Sequence, residues 1–165
     1  MNKGENRLNG ETSEAQDQYL LFLAGGVLYA VEALKAQEIV EYSSVTKVPM
    51  MHPYVKGVTN IRGNIVPVVD LINRFGLGET QIGDKTSIVV INYEKNDQKM
   101  EIGMMIDEVY AVDKIPQSNL KKSPEFGSKI EARYILNMGK YNNKYIAILN
   151  TDAILNIDEL SKLFV

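Results

Sequence analysis

The sequence predicts a mainly β protein, folded as two small barrels of about five strands each that pack together. Three observations carry that prediction. Roughly nine or ten short apolar runs, rich in valine, isoleucine and tyrosine, recur along the chain, and such residues fit a pleated, half-buried surface. A glycine pair, Gly25-Gly26, and an asparagine pair, Asn142-Asn143, each separate two of them, as tight hairpins require. Helical periodicity is confined to short stretches. At 165 residues neither barrel alone would bury enough surface, so the two are expected to share an interface.

Taken in order, Met1 to Asp17 is polar throughout and carries no signal-peptide apolar core. It is expected to be a disordered tail, leaving 18–165 as one domain of two lobes. Tyr19–Ala24 and Val27–Val31 flank Gly25-Gly26 and read as a hairpin. Ala33, Ala36 and Val40 then lie three and four apart, which predicts a short helix over Ala33–Val40. Thr46–Pro49 reads as a strand, and Met50–Pro53 as a loop leading to one helical turn before Gly57. Ile61-Arg62-Gly63-Asn64 reads as a hairpin turn with an arginine at its edge. Ile65–Val69 is almost entirely β-branched and predicts a strand. Pro67 supplies no backbone N–H, so that strand is expected at a sheet edge or with a bulge. Leu71–Phe75 is a short helix ended by Gly76.

Gly76 to Asp84 is rich in glycine and polar residues and marks the expected boundary between lobes, near 76–86. Ser87–Ile91 reads as a buried strand, Glu94–Lys99 as a charged loop, and Ile102–Ile106 as the hairpin partner, with Val109–Val112 carrying that strand onward. Lys114–Glu131, broken by Pro116, Pro124 and Gly127, is an extended connection. Tyr134–Met138 and Tyr145–Leu149 flank Asn142-Asn143 as a last hairpin. Asn150 or Thr151 caps a final helix through Leu155 and on toward Leu163.

Composition removes several function classes. Without cysteine there are no disulfides, thiolate metal sites or cysteine nucleophile. No run approaches the roughly 18 apolar residues of a membrane span, and a cytoplasmic location is the natural reading. The net charge of −3, with no basic stripe, argues against nucleic acid. His52, the only histidine, has no sequence neighbours suited to zinc or catalysis. Gly78–Thr86 mimics a phosphate loop, but Asp84 stands where the lysine belongs. Asp107 and Glu108 are strand neighbours and point to opposite faces. Asp152 and Asp158 lack the spacing of a calcium loop. Met50-Met51 and Met104-Met105 read as core filling.

No catalytic, cofactor-binding or metal-ligating set emerges. Arg62 keeps two readings. It is a surface cation beside a turn, or it pairs with a carboxylate, Glu38 being one candidate, at the rim of an apolar interaction surface. Arginine suits the second role because it combines a rigid bidentate fork with an apolar stem. Glycine at 57 and 63 would let a partner approach the backbone closely.

Leu34-Lys-Ala-Gln-Glu-Ile39, Lys56-Gly-Val-Thr-Asn-Ile-Arg-Gly63 and Ile65-Val-Pro-Val-Val-Asp-Leu71 resemble motifs of the chemotaxis coupling proteins, the CheW family. Ile102-Gly103, Ile106-Asp-Glu-Val109 and Ser123-Pro-Glu-Phe126 extend the resemblance, which runs from about Gln18 to Leu160. It implies two five-stranded SH3-like barrels, no enzymatic activity and no cofactor. It implies an adaptor between the cytoplasmic tips of chemoreceptors (methyl-accepting chemotaxis proteins) and the regulatory domain of the CheA histidine kinase. The protein would be cytoplasmic, recruited to membrane-bound receptor arrays without inserting in the bilayer. The resemblance places receptor contacts at Ala36, Glu38, Ile39, Gly57, Arg62 and Gly103, and leaves the kinase-facing surface unassigned. Ala36 and Ala30 depart from the family's commoner valine and glycine, and Ala36 thins the apolar contact. With the chain ending at Val165, no receiver domain is expected to follow. The alternatives are a small-molecule-binding or enzymatic β-barrel domain using the groove between lobes, and a coupling protein of another motility pathway.

Overall fold

The structure, a computed structural model, describes residues 17–49, 51–123 and 129–156. All of the expected N-terminal tail but Asp17, most of the Ser123–Phe126 motif and the run of the last helix toward Leu163 lie outside them.

The chain begins with a hairpin of β1 (Gln18–Ala24) and β2 (Val27–Glu32). Gly25 and Gly26 hold φ of 59° and 77° at its turn, which glycine adopts without a Cβ penalty. A 3-10 turn, Ala33–Lys35, leads into β3 (Ala36–Glu41), and β4 (Val55–Ile61) and β5 (Asn64–Asp70) follow as a second hairpin. After a one-turn helix, Leu71–Arg74, come β6 (Ser87–Lys95) and β7 (Gln98–Ile106). The remainder is β8 (Glu108–Lys114), β9 (Leu120–Lys121), β10 (Ile135–Tyr141), β11 (Lys144–Leu149) and a second one-turn helix, Thr151–Ile154. Asn150 Oδ1 accepts from the Ala153 N–H at 3.2 Å and caps that helix, as expected.

The strands form two sheets, in the orders β8-β1-β2-β11-β10-β9 and β3-β6-β7-β5-β4. The protein is therefore mainly β, with two packed lobes, the first carrying a sixth strand of two residues. Period-2 alternation explains the layers. Leu20 and Phe22 of β1 join Val89, Ile91 and Met104 in the core between the sheets, while Tyr19 and Leu21 face the interior of the first lobe. On the second sheet, Val68, Ile88 and Met105 turn the other way, into that lobe's own interior. Each such side chain, fully removed from water, contributes about 1.5–3 kcal/mol.

Several expectations are corrected. Ala33–Val40 is not a helix: only Ala33–Lys35 winds, and β3 pairs with β6 across a register shift between Ala36 and Glu38. The apolar positions share no helical face: Ala36 packs on the core between the sheets and Val40 on the interior of the second lobe. The helical turn before Gly57 is a single tight turn, Val55 N–H donating to the His52 carbonyl at 2.8 Å. Thr46–Pro49 pairs only through Thr46, which bridges Val58.

Pro67 lies on an interior strand, between β4 and β7. Its partner Val58 spends both backbone groups on Thr46, so Pro67 sits at a non-hydrogen-bonded pair, and pairing with β7 begins only at Val68. The missing N–H therefore costs the ladder nothing. Glu94–Lys99 is mostly strand, turning at Asn96-Asp97 with φ of 53° and 64°. Val109–Val112 does not prolong β7 but crosses to the first sheet beside β1. The segment 76–86 joins β5 to β6 within one sheet, so the expected boundary does not coincide with a change of sheet. Among the described residues no helix is long and apolar enough to cross a membrane.

Candidate protein-docking site

The β4–β5 turn places Arg62 and Gly63 at φ of 52° and 84°. Two positive φ angles define the turn that matches strand twist, and asparagine is the usual first residue there. Arginine holds this position against a steric cost of about 1–2 kcal/mol. Asn60 Oδ1 steadies the turn by accepting from the Gly63 N–H at 2.9 Å. The result is a guanidinium projected from a stiff support, with 57% of its side chain exposed.

Arg62 meets two glutamates. Its Nη2 lies 2.5 Å from Glu38 Oε1 on β3 and 3.9 Å from Glu101 Oε1 on β7. Gln37 Nε2 donates to the same Glu101 oxygen at 3.3 Å. Among the described residues, Glu38 Oε1, shut off from solvent, has the ion-pair contact alone, and Glu101 Oε2, equally shut off, has no hydrogen-bond partner. Leu34 and Met100, both exposed, line a shallow groove with Gln37 and Glu101. An ion pair this open contributes little stability, about 0–1 kcal/mol. What it offers is a fixed arrangement of charge beside apolar area.

The six residues implied by the resemblance do not form one surface. Glu38 and Arg62 come together. Ile39, 42% exposed, points to the opposite face of β3. Ala36 is half-buried against the core between sheets. Gly57 and Gly103 are internal. A Cβ at Gly57 would collide with the Thr46 carbonyl and approach Val45 Cγ1 to 2.9 Å. A Cβ at Gly103 would lie 2.7 Å from Ile88 Cγ2. Both glycines permit close packing inside the second lobe, and neither presents a side chain to a partner. Sequence reasoning missed Glu101 and Gln37, which reach Arg62 only through the pairing of β3, β6 and β7.

Other polar groups have structural partners. The Tyr54 N–H donates to His52 Nδ1 at 3.1 Å, and the two rings stack. Asp107 Oδ2 accepts from the Gly26 N–H, whereas Glu108 pairs with Lys85, so the adjacent carboxylates do diverge. Asp70, buried, accepts from both the N–H and the hydroxyl of Thr80. Arg74, also buried, donates from Nε to the Ile154 carbonyl at 2.7 Å and from Nη2 to the Ala153 carbonyl at 3.3 Å. Its guanidinium lies 5.1 Å from the ring centroids of both Tyr54 and Tyr134. Nothing in the sequence marked that arginine. The Tyr141 hydroxyl donates to Asp113 Oδ2 at 2.8 Å, which lowers the Asp113 carboxyl and raises the Tyr141 phenol. Burial raises Tyr19, helped by Glu32 and Asp17, and Tyr29 alike. Among the described residues no three His, Asp or Glu side chains gather closely enough to hold a metal ion.

Residues 18–159 match the family described as the CheW-like domain. This chain belongs to the CheW-like family. It is 28% identical over 155 residues to the chemotaxis protein CheW of Klebsiella aerogenes, covering 94% of this chain and 90% of that one. Against the CheW of Bacillus subtilis the identity is 31% over 140 residues, with 85% and 87% covered. The CheW-like fold here also resembles the crystal structure of the scaffolding protein TtCheW from Thermoanaerobacter tengcongensis, with a TM-score of 0.73 and 27% identity over 82% of this chain and 84% of that one.

Proposed function

We propose that this CheW-like protein is a non-catalytic adaptor of chemotaxis signalling that couples chemoreceptors to the CheA histidine kinase. The observation that carries the reading is the Glu38–Arg62 pair, its guanidinium more than half exposed beside a half-buried glutamate at the edge of the second sheet, in a chain matching the CheW-like domain nearly end to end. In finer detail, the cytoplasmic tip of a receptor docks at that edge, and the regulatory domain of CheA takes another face. Adaptor and kinase work in the cytoplasm, gathered at receptor arrays.

The mechanism needs no chemistry. An adaptor that binds both receptor signalling states equally transmits nothing, so its affinity for the two must differ. Each contact can be weak. A micromolar interaction corresponds to about 8 kcal/mol, and an array multiplies such contacts through effective concentration.

A reconstituted assay with a receptor cytoplasmic fragment, CheA and this protein tests the reading. Kinase activity that follows receptor state only when the protein is present supports it. Failure to bind either partner in a pull-down sinks it.

A further inference from the structure

The Arg62 cluster carries two carboxylates for one guanidinium, and the surplus falls on Glu101. Arg62 lies much closer to Glu38 than to Glu101. Among the described residues, both contacts that Glu101 makes, from Arg62 and from Gln37, go to Oε1, leaving Oε2 unpartnered and out of solvent. A carboxylate oxygen without a donor in that position costs free energy. The last torsion of a glutamate is broad and roughly two-fold, so a small rotation offers that oxygen to an incoming group. In the groove beside it, Lys99 stands opposite Glu94 in strand register, and Lys35 pairs with Asp152 at 3.8 Å. Glu32 adds another carboxylate to the lining. Leu34 and Met100, 66% and 39% exposed, supply the apolar part of the same surface.

We propose that Glu101 sets the charge of what docks here: the partner segment presents a basic side chain, a guanidinium or an ammonium, next to an apolar one. The proposal rests on the adaptor reading and specifies the receptor-side contact within it. A partner aiming an acid at Arg62 meets the two glutamates as well and is disfavoured by like charge. A partner bringing a cation supplies the donor that Glu101 lacks while its apolar neighbour covers Leu34 and Met100. Arg62 then acts as a positioning residue, holding Glu38 closely and leaving Oε2 of Glu101 to the partner.

Titration of a receptor cytoplasmic fragment into the full chain, at low and at high salt, decides this. Glu101→Gln keeps the shape and removes the charge. Gln37→Lys, at an exposed position, leaves Glu101 in place and neutralises it from within. Both are expected to weaken binding about five-fold at low salt, with the difference shrinking as salt screens the contact. Unchanged or tighter binding by these variants overturns the proposal and leaves the adaptor reading standing. Absence of binding by the unmodified chain removes the adaptor reading and this one with it. Should Glu101→Gln fail to fold, Gln37→Lys carries the same decision.

Discussion

Arg62 and Glu38 join the two ends of one sheet. Glu38 lies on β3, the first strand in the order of the second sheet, and Arg62 sits at the turn leaving β4, the last. Their 2.5 Å contact and the Thr46–Val58 bridge lie where the open edges of that sheet meet. The central ion pair of the candidate site thus marks the seam where the second lobe closes.

Because Arg62 occupies a left-handed position, its contributions to stability and to docking can be separated. Arg62→Gly relieves the backbone and removes the guanidinium. The variant is expected to unfold at an equal or higher temperature while losing receptor-dependent kinase stimulation. Scanning calorimetry and the reconstituted assay check the two halves. Coupling retained at the unmodified level would count against a docking role for Arg62.

Gly57→Ala and Gly103→Ala should behave in the opposite way. Each inserts a Cβ into packed structure, at about 1–3 kcal/mol, with Gly57 the worse because the obstacle is backbone. Denaturant titration should show lowered midpoints, and any loss of coupling should track the unfolded fraction. A fully folded Gly57→Ala variant defective only in receptor binding would contradict the internal placement.

Arg74→Met removes the donors that satisfy the carbonyls of Ala153 and Ile154. Hydrogen bonds to a charged group contribute about 1.5–3 kcal/mol, and the denaturation midpoint should fall by a corresponding amount. Amide exchange should quicken first in 151–155, before the strands. Uniform exchange across the chain would show that the arginine is not a specific tie on that helix.

Tyr141 and Asp113 give a pH signature. Their hydrogen bond holds Asp113 below its ordinary 3.8 and Tyr141 above its ordinary 10.0. The carboxylate's share of stability is therefore present above that ordinary value and fades as pH falls through the lowered one. The phenol's share is present below 10 and fades as pH rises through the raised one. In Asp113→Asn the Tyr141 ring carbon resonance should titrate at lower pH, nearer the ordinary phenol value. An unmoved titration would mean the bond is absent in solution.

Much of the fold was legible because its turns are written in residues that tolerate positive φ. Gly25-Gly26 and Asn142-Asn143 mark hairpins, and the register on either side follows from alternation. What was not legible traces to single-residue irregularities. The bulge at Ala36–Glu38 breaks the parity of β3, so Ala36 and Val40 pack on opposite faces of the sheet and simple alternation does not reveal the strand. The crossing at Asp107 looks like a continuing strand, because Val109 is as β-prone as Ile106. Glu38 and Arg62 could be nominated as a pair on their chemistry alone. Glu101, sixty-three residues beyond Glu38 in the chain, becomes their neighbour only through sheet register.

The order of strands has a practical corollary. β3 through β7 are consecutive in the chain and make up one sheet, while the other is assembled from what comes before and after. The span 36–106 is thus an inset, entered at Ala36 and left at Ile106, and it contains Glu38, Arg62 and Glu101 together. One two-junction graft between relatives would transplant the entire charged seam, so recognition could be exchanged as a cassette while the host lobe stays untouched.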